Sequence, residues 1–165
     1  MRLRKLEQKD VPFMLEWMHD PGVVQHMGAN FAEKTADDCR AFIAASQRSQ
    51  EDIHMAIVDE SDIYMGTVSL KHIDRVRKDA EFAITVRACA MGKGYSRYAI
   101  SEIIRIGLQE QGLDKVYWCV SPQNERAVRF YDKCGYPRVD KDSVYTGHYT
   151  PEQADGFIWY AVSQQ

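Results

Sequence analysis

No stretch of this chain stays apolar long enough to cross a bilayer, so the sequence predicts no membrane-spanning helix. Neither sign of charge dominates: 21 Lys and Arg stand against 24 Asp and Glu, a net charge of -3. That balance argues against bulk electrostatic binding to nucleic acid or to an anionic membrane. Cysteine is scarce. Cys39, Cys89, Cys119 and Cys134 form no C-x-x-C pair and have no zinc-ligand spacing with a histidine, so no metal site is expected. We read them as free thiols of a reducing, cytoplasmic setting. Cys119 and Cys134 lie in apolar runs and read as packing residues. The charged start, Met1-Arg2-Leu3-Arg4-Lys5, is followed by no apolar run, and no signal peptide is expected. The sequence carries no repeat, linker or low-complexity segment. Its 165 residues are expected to form one domain, 1–165.

What is present is a mixed pattern of helix and strand periods. Arg2 to Leu6 reads as a short strand. Asp10 starts a helix with Pro12 in its first turn, where proline is tolerated, and Asp20-Pro21-Gly22 ends it. A second helix runs from about Thr35 to Gln47. Met55 to Val58, Tyr64 to Leu70 and Ala80 to Val86 read as strands, with Asp74 to Lys78 a charged turn. On the last of these, Ala80, Phe82, Ile84 and Val86 share one face, and Glu81 points the other way. The next helix reaches about Leu108 and is stopped by Gly112. Lys115 to Val120 is a buried strand. Asn124 caps a helix that ends near Cys134-Gly135, and Phe157 to Val162 is the final strand.

Between the Ala80 strand and the helix behind it lies Met91-Gly92-Lys93-Gly94-Tyr95-Ser96. Two glycines let backbone N–H groups approach a ligand, and a helix start adds free donors and partial positive charge. Together they make an anion site, most often for phosphate. Two common owners of such a loop do not fit. A P-loop needs a glycine five residues before Gly92, where Arg87 stands, and Ser or Thr where Gly94 stands. A Rossmann fingerprint needs a third glycine and an acidic residue ending the next strand, which here ends in Val120-Ser121-Pro122.

The loop resembles the [QR]-x-x-G-x-[GA] coenzyme A loop of the GCN5-related N-acetyltransferase (GNAT) family, with Met91 in place of Gln or Arg and Ser96 in place of Gly or Ala. Downstream, Asn124-Glu125-Arg126-Ala127-Val128-Arg129-Phe130-Tyr131-Asp132-Lys133-Cys134-Gly135-Tyr136 resembles the family's N-x-x-A-x-x-[FL]-Y-x-x-x-G-[FY] stretch with every defined position filled. The beginning, Trp17-Met18-His19-Asp20-Pro21, is similar to the branch holding ribosomal-protein, polyamine and amino-sugar acetyltransferases. The resemblance implies an α/β (α+β) fold: a central mixed, mostly antiparallel sheet of six to seven strands with about four helices.

It also implies a chemistry: acetyl transfer from acetyl-CoA, as co-substrate, to a primary amine of a small molecule, an amino sugar or a polyamine, by direct transfer in a ternary complex. An amine with a pKa of about 10 must lose a proton, and a leaving thiolate of pKa about 8.5 gains from a nearby donor. Tyr131 is the implied general acid. By spacing alone the packed aromatic, beside Ala127, Phe130 and Cys134, is the favoured reading, and only the motif turns it toward the catalytic role. Glu81 is the implied base, directly or through water, if its strand is central; on an edge it would be merely solvated. The resemblance assigns the pantetheine arm and acetyl carbonyl to Ile84, Thr85 and Val86. It assigns the phosphates to Met91, Gly92, Lys93, Gly94, Tyr95 and Ser96, and further cofactor contacts to Asn124 and Ala127, Asn124 also being a plain N-cap. Lys71, His72, Arg75, Arg77 and Lys78 read first as a solvated basic hairpin and second as a contact for an acidic acceptor. His26, Asn30, Phe31 and Tyr145 lie where relatives bind the acceptor. A homodimer is compatible with the resemblance. Two other readings stay open: a protein N-terminal acetyltransferase, and a non-catalytic acyl-CoA-sensing domain.

Overall fold

A computed structural model describes residues 1–165. One seven-stranded sheet runs through the molecule in the order β1-β2-β3-β4-β5-β7-β6. The strands are β1 (Arg2–Lys5), β2 (Ile53–Val58), β3 (Tyr64–Asp74), β4 (Asp79–Val86), β5 (Lys115–Val120), β6 (Arg138–Val139) and β7 (Ile158–Ser163). Every neighbouring pair is antiparallel except β4 and β5, which are parallel. Six helices cover the sheet: α1 (Val11–Met18), α2 (Pro21–Val24), α3 (Ala36–Ser46), α4 (Tyr95–Arg105), α5 (Glu125–Lys133) and α6 (Pro151–Gly156). None is long and apolar enough to cross a membrane.

Strand alternation sorts side chains between two faces. On one face Val68, Leu70, Ala80, Phe82, Val86, Val116, Trp118 and Tyr160 pack against Ala99, Ile100, Ile103 and Ile104 of α4 and Tyr131 of α5. The other face is covered at both ends. Over β2 and β3, α1 and α3 bury Met14, Trp17, Cys39 and Ile43 against Ala56, Val58 and Tyr64. Over β5 and β7, Ala154 of α6 packs on Tyr117, Trp159 and Ala161. Between these two covers lies the far face of β4, with Glu81, Ala83 and Thr85. A central strand is thereby left accessible along part of one face, which is how the fold makes room for a site.

The expected elements recur with three differences. The strand read as Tyr64 to Leu70 continues to Asp74, with its register broken between Lys71 and Asp74. His72 there adopts φ 57°, and its N–H donates to the Asp52 carboxylate at 2.9 Å. Alternation cannot show a strand that runs through such a bulge. Six helices replace the expected four because α2 and α6 are only 4 and 6 residues long. Each has its own start signal. Asp20 caps α2 by accepting from Gly22 N, and Thr150 with Gln153 forms a capping box ahead of α6. Short β6 pairs only through Arg138 and Val139, too few residues to show a period.

Gly66 of β3 lies opposite Val86 of β4, where a side chain has no room. A Cβ there would lie 2.4 Å from the Thr85 carbonyl oxygen and 3.0 Å from Val86 Cα, both backbone atoms. Gly66→Ala therefore pushes β3 away from β4. We expect a loss of about 3 kcal/mol, as for an overpacked core. At about 2–4 °C per kcal/mol for a chain of this size, the melting temperature should fall by roughly 6–12 °C. Differential scanning calorimetry checks it.

Candidate active site

The parallel pair β4–β5 is joined only at Asp79–Lys115, Ala80–Val116 and Glu81–Tyr117. Past Glu81 the strands part. On the side facing β5, the backbone of residues 82–86 has no strand partner, which leaves unpaired N–H and C=O groups beside a gap. The gap opens into a cleft of about 730 Å³. Its walls include Glu81 to Val86 on one side, and Trp118 to Ser121 with Asn124, Ala127 and Tyr131 on the other.

At one end of the cleft stands the glycine loop. Gly92 and Gly94 have φ 75° and 90°, a left-handed region that costs other residues about 1–2 kcal/mol. A Cβ built on either meets nothing within 4 Å, so the space over the loop is open. Gly94 is the N-cap of α4, whose first N–H groups have no intrahelical partner. This cradle fits a pyrophosphate. Met91, Gly92, Gly94 and Ser96 line the cleft, whereas Lys93 is exposed and Tyr95 packs against the core; neither is on the cleft wall. Two cations that the sequence reading did not single out do reach it, Arg97 and Arg126. The Arg126 guanidinium lies 3.3 Å from Met91 Sδ. Arg126 thus brings a cation from α5 beside Met91. We expect Gly94→Ala to raise KM for acetyl-CoA about tenfold, the equivalent of about 1.4 kcal/mol, with a smaller change in kcat. Initial rates against acetyl-CoA concentration check this.

The Asn124–Tyr136 stretch builds α5. The Asn124 side chain accepts from Ala127 N at 3.3 Å, and Gly135, at φ 80°, lets the chain leave the helix. Tyr131 is 8% exposed and sits on the cleft wall. Phe82, Trp118, Phe130, Tyr136 and Tyr160 surround its ring, with centroids 5.2–6.5 Å away. Burial pushes its phenol well above the ordinary value of 10. A phenol so placed is protonated across the working pH range and donates rather than accepts a proton. The helix is fixed to the sheet by Asp132, which accepts from Tyr160 Oη at 2.9 Å and from Arg138 at 2.6 Å.

Glu81 lies in the middle of the sheet, 2% exposed, and lines the cleft. Tyr149 Oη donates to its Oε2 at 2.8 Å. Its Oε1 has no hydrogen-bond partner, although Lys71 Nζ is 3.4 Å away. Lys71 is therefore not part of a solvated turn: it sits opposite Glu81 across β3–β4 and on the cleft wall. The rest of the basic hairpin is engaged elsewhere. Arg77 pairs with Asp74 and Asp79 and stacks over Tyr145, Arg75 binds Gln111, and His72 stacks on His148 at 3.6 Å. Lys78 is exposed. Of the four residues expected near an acceptor, His26 and Phe31 reach the cleft; Tyr145 is held under Arg77 and Asn30 is exposed.

Cys119 also belongs to the cleft wall rather than to the core alone, and burial pushes its thiol up to about 12. Tyr149, Gln153 and Phe157, from the segment around α6, complete the acceptor end. Tyr149 and Gln153 lie in a segment with no strand or helix period, and Phe157 reads only as the start of the final strand. The available signal was the Thr150-Pro151-Glu152-Gln153 helix start immediately after Tyr149.

A glycine loop at a helix start, an unpaired strand edge, a buried carboxylate and a buried phenol thus surround one cleft. The chain belongs to the GNAT family: the family model described as acetyltransferase (GNAT) domain matches residues 1–137. It is an N-acetyltransferase that uses acetyl-CoA as co-substrate, as the sequence resemblance implied. Among curated proteins it is similar to the spermidine N(1)-acetyltransferases of Vibrio cholerae, 24% identical over 138 residues (82% of this chain, 78% of that one), and of Escherichia coli K12, 27% identical over 141 residues (82% and 72%). Among solved structures it resembles the Vibrio cholerae spermidine N-acetyltransferase in complex with CoA and spermine. The TM-score is 0.81 at 20% identity, covering 99% of this chain and 95% of that one. A dodecameric form of that enzyme scores 0.74. At these identities the structural likeness establishes the fold.

Proposed function

We propose that the chain, acting as one acetyltransferase domain, acetylates a small primary amine by direct transfer in a ternary complex. The buried Glu81 carboxylate on the wall of the split-strand cleft, whose Oε1 accepts no hydrogen bond, carries this reading. Acetyl-CoA supplies the thioester. Gly92, Gly94 and the start of α4, with Arg126 and Arg97 close by, bind its phosphates. The unpaired edge of Ile84 to Val86 hydrogen-bonds the extended pantetheine arm, as an added strand would. Asn124 and Ala127 contact the same arm from α5.

Glu81, or a water it holds, takes the proton from the acceptor ammonium and frees the nitrogen lone pair. The amine nitrogen bonds to the carbonyl carbon. A backbone N–H of β4 donates to the charge that builds on the carbonyl oxygen. The carbon–sulfur bond breaks, and Tyr131 gives its phenolic proton to the leaving sulfur. The extra proton on the new C–N nitrogen passes, directly or through water, to the Tyr131 phenolate, which leaves a neutral amide and restores the phenol. Cys119 takes no covalent part, because a thiol held near 12 is almost wholly protonated at neutral pH. The four free cysteines favour a reducing compartment, the cytoplasm.

The spermidine acetyltransferases make polyamines the first acceptors to test, with amino sugars beside them. Thiol release from acetyl-CoA, followed over a panel of primary amines, tests the proposal. Turnover with at least one amine, matched by acetylated product, supports it. Coenzyme binding with no turnover on any amine would point instead to an acyl-CoA sensor.

A further inference from the structure

Lys71 stands unused by this chemistry, and it is a cation on the acceptor side of the cleft. We propose that its ammonium is an anion subsite, so that the preferred acceptor is a primary amine carrying a carboxylate or phosphate group close to its nitrogen. This rests on the N-acetyltransferase reading above and specifies its substrate class.

Three observations carry it. Lys71 and Glu81 are register partners on β3 and β4, so their side chains leave the same face, and both line the cleft. Their charges are 3.4 Å apart, yet Glu81 Oε1 accepts no hydrogen bond. Lys71 and Glu81 are thus an ion pair without a directed hydrogen bond, and the ammonium, with three N–H groups, keeps donors for a second anion. The Lys71 side chain is 34% exposed and the Glu81 side chain 3%. The carboxylate is fixed by Tyr149, while the ammonium paired with it is partly exposed to the cleft. The cleft thus presents a negative and a positive group a few ångströms apart. An acceptor with its amine and an anionic oxygen a few bonds apart satisfies both at once.

The charge balance points the same way. Besides Lys71 and Glu81, the charged or basic residues on the wall are His26, Arg97 and Arg126, the last held against Met91 of the glycine loop. One carboxylate beside one ammonium is a neutral pair. It matches a zwitterion, whereas a polycation would bring further ammonium groups toward Lys71.

The test compares kcat/KM by thiol release for propylamine, β-alanine, O-phosphoethanolamine and spermidine with the full chain. β-Alanine or O-phosphoethanolamine should exceed propylamine about tenfold or more, the scale of one charge-assisted contact; which of the two leads separates carboxylate from phosphate. In Lys71→Met that ratio should fall to within about threefold of one, and in Lys71→Arg it should persist. The wild-type ratios stand even where a variant fails to fold. Anionic acceptors no better than propylamine, spermidine as the best acceptor, or a preference that survives Lys71→Met would each overturn the subsite and leave the acetyltransferase reading intact. Turnover of no amine at all would remove both.

Discussion

Replacing Tyr131 by phenylalanine is expected to lower kcat by about 10²- to 10⁴-fold, the usual worth of a positioned general acid. KM for acetyl-CoA should stay within about twofold, since the lost interaction belongs to the transition state. The ring is packed by five aromatic side chains that a phenylalanine would still satisfy, so the substitution removes a hydroxyl and little packing. Burial keeps that phenol protonated, and Tyr131 lines the cleft. Loss of the hydroxyl leaves the departing sulfur without a proton donor. Full kinetics with a calorimetric control for folding measure the effect. Unchanged kcat in a folded Tyr131→Phe enzyme would reduce Tyr131 to the packed aromatic that spacing alone allows.

Glu81→Gln should cost a similar amount, about 10²- to 10³-fold in kcat/KM for the amine near neutral pH. The amide oxygen keeps an acceptor for Tyr149, so the site should hold its shape. What goes is the group that accepts the ammonium proton. The defect has a pH signature. An amine of pKa about 10 increasingly loses its own proton as the pH rises toward that value. The ratio of wild-type to variant rate should therefore shrink steadily between neutral pH and about 10. A structural defect would give no such recovery. A ratio that stays constant with pH in a folded variant would mean that Glu81 holds the acceptor rather than deprotonating it.

Local sequence rules made the cofactor half of the site legible. Gly92 and Gly94 need left-handed backbone, Asn124 caps, Gly135 leaves a helix, and Ala80 to Val86 alternates. Each rule spans a few residues, and each matches a local feature of the structure. The acceptor half was less legible because it is assembled from afar. Tyr149 meets Glu81 across 68 residues of sequence. Lys71 looked like part of a charged turn because the strand carrying it runs through a bulge. Cys119 looked like packing because β5 is apolar. It borders the cleft only because β4 and β5 part beyond Glu81, and no periodicity encodes where a parallel pair separates. Arg126 occupies an unspecified position of the Asn124–Tyr136 motif. Only α5 packing brings it to Met91.

The most direct test of the central claim, direct transfer from acetyl-CoA to an amine in this cleft, is an incubation with the amine left out. The protein and acetyl-CoA alone should release no stoichiometric burst of free coenzyme thiol, and intact-mass measurement should find the chain unmodified. Adding an acceptor amine should then release one thiol for each acetylated amine formed. A burst of thiol without amine, with one acetyl group gained by the chain at Cys119, would contradict the account and make the enzyme a covalent, two-step transferase.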